Sequence, residues 1–247
     1  MGKTIQFAKA TPEQLVSLFM REKRDEKYPP GHLHELLLQF MTFCFHVVMV
    51  NTFLQEELSA KKLEKEPVAT RAAYKLLKMG EAAIPALGKG LESASWYQRA
   101  MSALILGEIG GDVAAELLIA ALEREPLGVT ERWILSAMGE TKSPRVIPAL
   151  LKQLELPWPV KGPKESLNPL QSLMLENVRL LHERTLLGQG SFALQALRRF
   201  DDPRIPSALE VYKLRLDSPP DDWKEHRELE TVRESLLKDS PLLAALV

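Results

Sequence analysis

The chain has 247 residues, of which 45% are apolar, and its 32 basic and 33 acidic residues leave a formal net charge of −1. This near balance gives no support to a nucleic-acid partner, because such proteins carry an excess of basic side chains. With one cysteine, Cys44, neither an intramolecular disulfide nor a cysteine-based zinc site can be built. The first residues lack the apolar segment of a signal peptide, so we expect a cytoplasmic protein.

The first predicted helix begins at a capping motif. Thr11 can accept a bond from the first helical turn, and Pro12 suits the first helical position. Gln14 can accept a bond from the backbone N–H of the cap, which completes a capping box. We expect this helix to run to about Asp25.

A second helix is predicted at about 32–62, and it contains an apolar run at 36–54. The run is long enough to cross a bilayer. Polar residues interrupt it and glutamates flank it, so we expect a buried core helix rather than a membrane span. Residues 1–66 are therefore predicted to form a helical hairpin that caps the structure after them.

A turn then recurs along the chain. Equivalent positions are occupied by Pro85, Ala115, Pro148 and Pro206, at spacings of 30, 33 and 58 residues. A helical motif that returns about every thirty residues predicts stacked helix pairs. We call the two helices of each pair A and B. The predicted A helices are 67–79, 95–108, 130–138 and 191–200, and the predicted B helices are 82–91, 113–124, 145–154 and 204–216.

Each B helix is predicted to bury a stripe two and six positions after its anchor, because such positions share a helix face. The stripe comprises Leu87, Leu91, Leu117, Ala121, Leu150, Leu154, Ala208 and Tyr212. Glycines are expected to end helices or to lie in the linkers between them, among them Gly80, Gly139 and Gly190.

The regular spacing fails at 157–169, where four prolines and a glycine exclude a continuous helix. We treat this segment as an insertion, followed by a helix expected to run to about Leu187. A charged final helix is predicted at 221–239. The resulting division is a capping hairpin at 1–66, repeats at 67–216 and a C-terminal cap at 217–247.

These residues resemble a known family. The segment RAMSALILGEIG at 99–110, followed by LLIAAL at 117–122, resembles a HEAT repeat of the short bacterial type known from phycobilisome lyases. The turns PRVIP at 144–148 and DPRIP at 202–206 resemble its inter-helix turn. The resemblance covers about 67–155 and 190–216. It implies an all-α, right-handed α-solenoid, here with helical caps at both ends.

The resemblance also bears on three arginines. Arg71, Arg99 and Arg132 lie near the position of a helix-A arginine of that family. We expect them to be structural and to tie successive repeats together.

A solenoid offers a long concave surface without any special residue, so the favoured function is a non-enzymatic scaffold or adaptor that binds a protein partner through its concave face. No catalytic, cofactor or metal residue is assigned, and the partner and the oligomeric state stay open. Reversing the charges of Arg145 and Lys152 is expected to abolish partner capture without lowering Tm. The predicted partner-binding residues are Lys89, Glu116, Arg145, Lys152, Trp158 and Lys213.

Trp158 lies between two prolines and has two interpretations. It is either an exposed anchor for a partner or a side chain folded back over the helical stack.

Two enzymatic alternatives stay open. The repeat subtype implies an accessory protein similar to bilin lyases and isomerases, although nothing else marks a chromophore pocket. Some HEAT-like proteins are DNA glycosylases for alkylated bases, but seven basic and five acidic residues on the predicted B helices make a weak DNA groove. We interpret His32, His34 and Glu35 as a solvated group rather than a metal site.

Overall fold

A computed structural model describes residues 7–20, 64, 68–125, 128–159, 184–225 and 227–238. All regular elements in these ranges are helical, which confirms the predicted all-α class. The helix predicted at 32–62 and its apolar run lie outside them, as does Cys44. Within them, no helix has the length and apolarity that a membrane span requires. The chain divides into two compact units, Met1–Ile109 and Gly110–Val247.

The predicted capping box is present in the first unit. Thr11 Oγ1 accepts a hydrogen bond from the Gln14 N–H at 3.3 Å, and Gln14 Oε1 accepts one from the Thr11 N–H at 3.0 Å. Helix α1 then runs over Pro12–Ser17 and tightens into a 3-10 turn at Leu18–Met20. The α-helical part is therefore shorter than predicted.

The rest of the first unit that the structure describes contains three helices, the pair of α2 and α3 and the following A helix, α4. Helix α1 packs on α2 and α3, and α4 packs on both of these. At the edge of α2, the guanidinium of Arg71 lies 4.0 Å from the ring centroid of Phe7. The elements are α2 at Val68–Met79, a 3-10 turn at Gly80–Ala83, α3 at Ile84–Gly90 and α4 at Trp96–Ile109.

The second unit continues the alternation of A and B helices. Helix α5 packs on α6, and α8 packs on both α6 and α7. The third and last repeats are therefore direct neighbours, although the chain between α7 and α8 is long. The elements are α5 at Gly111–Arg124, α6 at Gly128–Glu140, a 3-10 turn at Pro144–Val146, α7 at Ile147–Gln153, α8 at Gln189–Leu197, α9 at Arg204–Asp217, a 3-10 turn at Asp221–Trp223 and α10 at Arg227–Lys238.

Two helix boundaries in this unit differ from the predicted ones. The helix expected to reach Leu187 does not include residues 184–188, of which 186–188 form a turn, and its earlier part lies outside the described residues. The final charged helix begins with a separate 3-10 turn, in which Trp223 is buried.

The buried stripe of the B helices agrees with the prediction six positions after the anchor and differs between repeats two positions after it. Helices α3 and α7 follow a 3-10 turn and bury Leu87 and Leu150, as predicted. Helices α5 and α9 are α-helical from their first residue and bury Leu118 and Leu209 instead. Each residue of a 3-10 turn rotates the chain about 20° further than α-helix does, so the four-residue turn before α3 and the three-residue turn before α7 change which side chain faces inward at the start of these helices. The predicted burial of Leu117 and Ala208 is therefore wrong, since both are only half-buried.

Two glycines predicted as helix ends or linkers are packing sites. Gly139 lies inside α6, and a Cβ there would approach the Cα of Ala196 on α8 to 2.9 Å. Gly190 lies inside α8, where a Cβ would be 3.0 Å from the Tyr212 hydroxyl. Both glycines let neighbouring helices approach closely. Gly80 does end α2, with a left-handed φ of +57°.

Candidate functional site

The turn before α7 is tied to α5 by Arg145. The Arg145 Nε lies 3.1 Å from Asp112 Oδ2, and its Nη1 pairs with Glu116. Ser143 strengthens the turn, because its hydroxyl donates to Asp112 Oδ1 at 2.6 Å. One guanidinium therefore links the first turns of two neighbouring B helices.

The other end of α7 is held by α9. Arg215 donates from Nη1 to the Leu154 carbonyl at 2.6 Å and from Nη2 to the Leu156 carbonyl at 2.7 Å. These carbonyls follow the C-terminus of α7, where a cation also offsets the negative end of the helix dipole. Helices α5, α7 and α9 thus lie side by side, and we call their outward sides the B-helix surface.

Glu116 and Arg145, both predicted as partner-binding residues, bind each other. Their side chains are more than half exposed, so both lie on the surface and the ion pair contributes little to stability. Since Arg145 also contacts Asp112, its charge reversal would bring three acidic groups together. We therefore expect the charge reversal of Arg145 to lower Tm, in contrast to the expectation from the sequence.

The remaining predicted basic residues separate into two groups. Lys152 is exposed on α7 and Lys213 is half-buried on α9, so both belong to the B-helix surface. Lys89 is exposed on α3, in the first unit. Their roles in binding stay predictions.

Trp158 lies where the described chain leaves α7. Its ring centroid is 6.4 Å from that of Trp223, with the planes tilted by 37°. The Trp223 indole donates to the Pro159 carbonyl at 2.9 Å, and the Leu186 N–H donates to the Pro157 carbonyl at 2.9 Å. Trp158 is thus folded against the C-terminal part of the unit, while part of its side chain stays exposed. Its role as a partner anchor stays a prediction.

Sequence reasoning missed three apolar residues on the B-helix surface. Val113 of α5 is 59% exposed, and Val211 and Leu214 of α9 are 58% and 62% exposed. Among the residues that the structure describes, the one other exposed large apolar residue is Val68 of α2, which is less exposed, at 45%. These positions could be found from the sequence only once the phase of each helix is known.

The helix-A arginines serve as internal ties. Arg99 is buried and donates from Nη1 to the carbonyls of Ser93 and Ala94, at 2.8 and 3.0 Å. These bonds close the loop before its own helix. Arg132 is also buried and lies 5.6 Å from the ring centroid of Phe192 on α8, so it does contact the next repeat.

One buried acid also has a structural partner. Glu131 of α6 has a side chain only 1% exposed and pairs with Arg184. Arg184 Nη2 donates to the carbonyls of Leu122 and Glu125 at the end of α5, at 2.9 and 3.2 Å. Burial raises the pKa of Glu131 to about 7, although the positive charge of Arg184 opposes this shift. The cluster anchors residue 184 against α5 and α6.

Metal chemistry has no candidate in the described ranges, where no group of three His, Cys, Asp or Glu side chains could hold an ion. His32, His34 and Glu35 lie outside those ranges.

A comparison of the chain with known protein families finds one match. The family model described as HEAT repeats matches residues 84–168, which include α3 to α7. No curated protein matches the chain. The match does not distinguish the short bacterial subtype, so that subtype and the bilin-related and glycosylase alternatives stay predictions. Residues 84–168 are thus similar to HEAT repeats, which agrees with the resemblance seen in the sequence.

Proposed function

We propose that this protein is a non-enzymatic scaffold or adaptor that binds another protein through the B-helix surface of its second unit. HEAT repeats commonly serve as protein-interaction scaffolds. The observation that carries the proposal is the exposure of Val113, Val211 and Leu214 on α5 and α9, two B helices of the second unit. Exposed apolar side chains with a polar rim are typical of protein-binding sites.

The α5 part of the surface combines one apolar residue with charges of both signs. Val113 follows Asp112 in the chain and lies three residues before Glu116, while Arg145 joins the two acids. A phosphate backbone needs an excess of basic groups, which this arrangement lacks. The mixture favours a folded protein or a peptide as the partner.

The α9 part supplies the larger apolar area. Val211 and Leu214 are three residues apart and therefore share a helix face. Because more than half of each side chain is exposed, covering them would contribute roughly 1–2 kcal/mol each before the costs of association. We therefore expect these two residues to dominate the binding energy.

The proposal is tested by comparing partners captured by tagged variants in the source cells. The test variants are Val113→Asp alone and Val211→Asp with Leu214→Asp. The control is Val68→Asp, which matches Val113→Asp because it adds one negative charge at another exposed valine, in the first unit. Partners recovered with the wild type and the control should be lost from the test variants.

Folding is checked by Tm, since exposed substitutions usually change stability by less than about 0.5 kcal/mol. If the folded test variants recover the same partners as the wild type in equal amounts, the B-helix surface is not the binding site. If the control alone loses them, the site lies in the first unit.

A further inference from the structure

We infer that the α9 part of the B-helix surface binds a basic amphipathic segment of its partner. The segment supplies apolar side chains for Val211 and Leu214 and a lysine or arginine for the acids beside them. This inference rests on the proposed function and specifies the chemistry of the partner.

Helix α9 has two distinct faces. Its inward face is buried and consists of Ile205, Leu209, Tyr212 and Leu216. The opposite face is exposed and consists of Ser207, Glu210, Val211, Leu214 and Asp217. Val211 is 58% exposed and Leu214 is 62% exposed, so both side chains are accessible to a partner on this face.

The acids on this face lie directly beside the apolar residues. Glu210 is four positions before Leu214 and Asp217 is three positions after it, so both neighbour it on the helix surface. Asp217 Oδ1 lies 3.6 Å from Arg233 Nε, which is a loose ion pair. Glu210 has no ion pair with any residue that the structure describes, and its charge is therefore available to a partner.

The nearby arginines are engaged within the protein. Arg204 directs Nε and Nη2 to the two carboxylate oxygens of Asp202, each at 2.8 Å. Arg215 directs its guanidinium to the Leu154 and Leu156 carbonyls.

The remaining base on α9 is peripheral. Lys213 is half-buried and lies about 100° around the helix from Leu214, at the edge of the exposed face. The centre of the face therefore presents apolar side chains bordered by carboxylates.

This arrangement is complementary to an amphipathic helix with a basic flank. Two apolar residues spaced three or four apart on such a helix match the spacing of Val211 and Leu214. A basic residue beside them would meet Glu210, whereas an acidic residue would be repelled.

The test selects ligands for the full-length protein from a displayed library of random peptides of about 12 residues, or three helical turns. Enriched peptides should carry two apolar residues three or four apart and an excess of Lys and Arg over Asp and Glu. Enrichment should be lost on Val211→Asp with Leu214→Asp and kept on Val68→Asp.

The charge component is tested separately with Glu210→Lys. For a synthetic copy of an enriched basic peptide, this change should weaken binding by about fivefold at low salt. The loss should shrink at high salt, because exposed charges are screened.

Three outcomes would overturn the inference: no enriched peptide, enriched peptides without a basic excess, or equal binding by the Glu210→Lys variant. The cellular capture experiment separates this failure from that of the proposed function. If cellular partners are lost on Val211→Asp with Leu214→Asp but not on Glu210→Lys, the surface binds protein and the basic partner is wrong. If they are lost on neither of these but are lost on Val113→Asp, only the inference fails. If they are retained on all three variants, both proposals fail.

Discussion

Replacing Glu131 by glutamine should change how the stability of the protein depends on pH. The carboxyl is buried in α6 beside Arg184, and burial raises its pKa from 4.5 to about 7. Between these values the carboxyl is protonated in the folded protein and charged in the unfolded chain. The free energy of unfolding therefore falls as pH rises through this interval.

The size of the effect follows from the shift in pKa. A rise from 4.5 to about 7 corresponds to about 3 kcal/mol, which is fully lost above pH 7 and fully retained below pH 4.5. Glutamine keeps an oxygen that can accept from Arg184 but cannot ionise. Relative to the Glu131→Gln variant, the wild type should therefore lose about 3 kcal/mol of stability between pH 4.5 and 8.

Urea unfolding of both proteins at a series of pH values measures this difference directly. Subtracting the two curves removes the titration of all other groups. Glu123→Gln, on the exposed side of α5, is the control for the loss of one glutamate. A difference between wild type and Glu131→Gln that stays constant from pH 4.5 to 8 would refute the reasoning.

Three further changes test the packing of the second unit. Gly139→Ala should destabilise by about 1–3 kcal/mol despite the better helix propensity of alanine, because the added methyl would lie 2.9 Å from the backbone of α8. Leu118→Ala should cost about 2–5 kcal/mol, whereas Leu117→Ala should cost less than half as much, because Leu118 is the fully buried one of the two. Reversing Arg145 and Lys152 together should cost about 1 kcal/mol, because Arg145 bridges two carboxylates, while reversing Lys152 alone should be close to neutral. All three are measured by urea unfolding.

Each of these has a clear contrary outcome. A Gly139→Ala protein as stable as the wild type would mean that α6 and α8 can separate without cost. Equal losses for Leu117→Ala and Leu118→Ala would contradict the rotated stripe of α5. If reversing Lys152 alone lowers stability as much as the double reversal, Arg145 is not the residue that links α5 and α7.

The local elements of this protein follow from short stretches of sequence. The capping box of Thr11 and Gln14 forms as predicted, and Pro85 and Pro148 lie in the first turns of their helices. These features depend on residues within one helical turn of each other, so neighbours in sequence are sufficient to predict them. The recurring turn likewise predicted the helix pairs, and the HEAT-repeat match over 84–168 supports the predicted type of repeat.

The composition of the candidate surface needed the tertiary structure. Sequence reasoning chose charged residues, and it could not see that Arg145 is already bound to Glu116 across two helices. It also missed Val211 and Leu214, because an apolar residue in a helix is expected to face inward until the phase is known. It left open whether Trp158 is exposed, which depends on a ring 65 residues further along the chain.

Periodicity along this chain determined that it would form helices and that those helices would pair. The first leucine buried after the anchor is Leu150 in α7, which follows a 3-10 turn, and Leu209 in α9, which does not, and it lies at a different position relative to the anchor. Close helix contacts depend on which residue of the neighbouring helix lies opposite a glycine, as Ala196 lies opposite Gly139. Local hydrogen bonds and helix period are properties of adjacent residues, whereas exposure and ion pairing are properties of distant residues brought together. The residues available to a partner were therefore decided by the packing of the repeats.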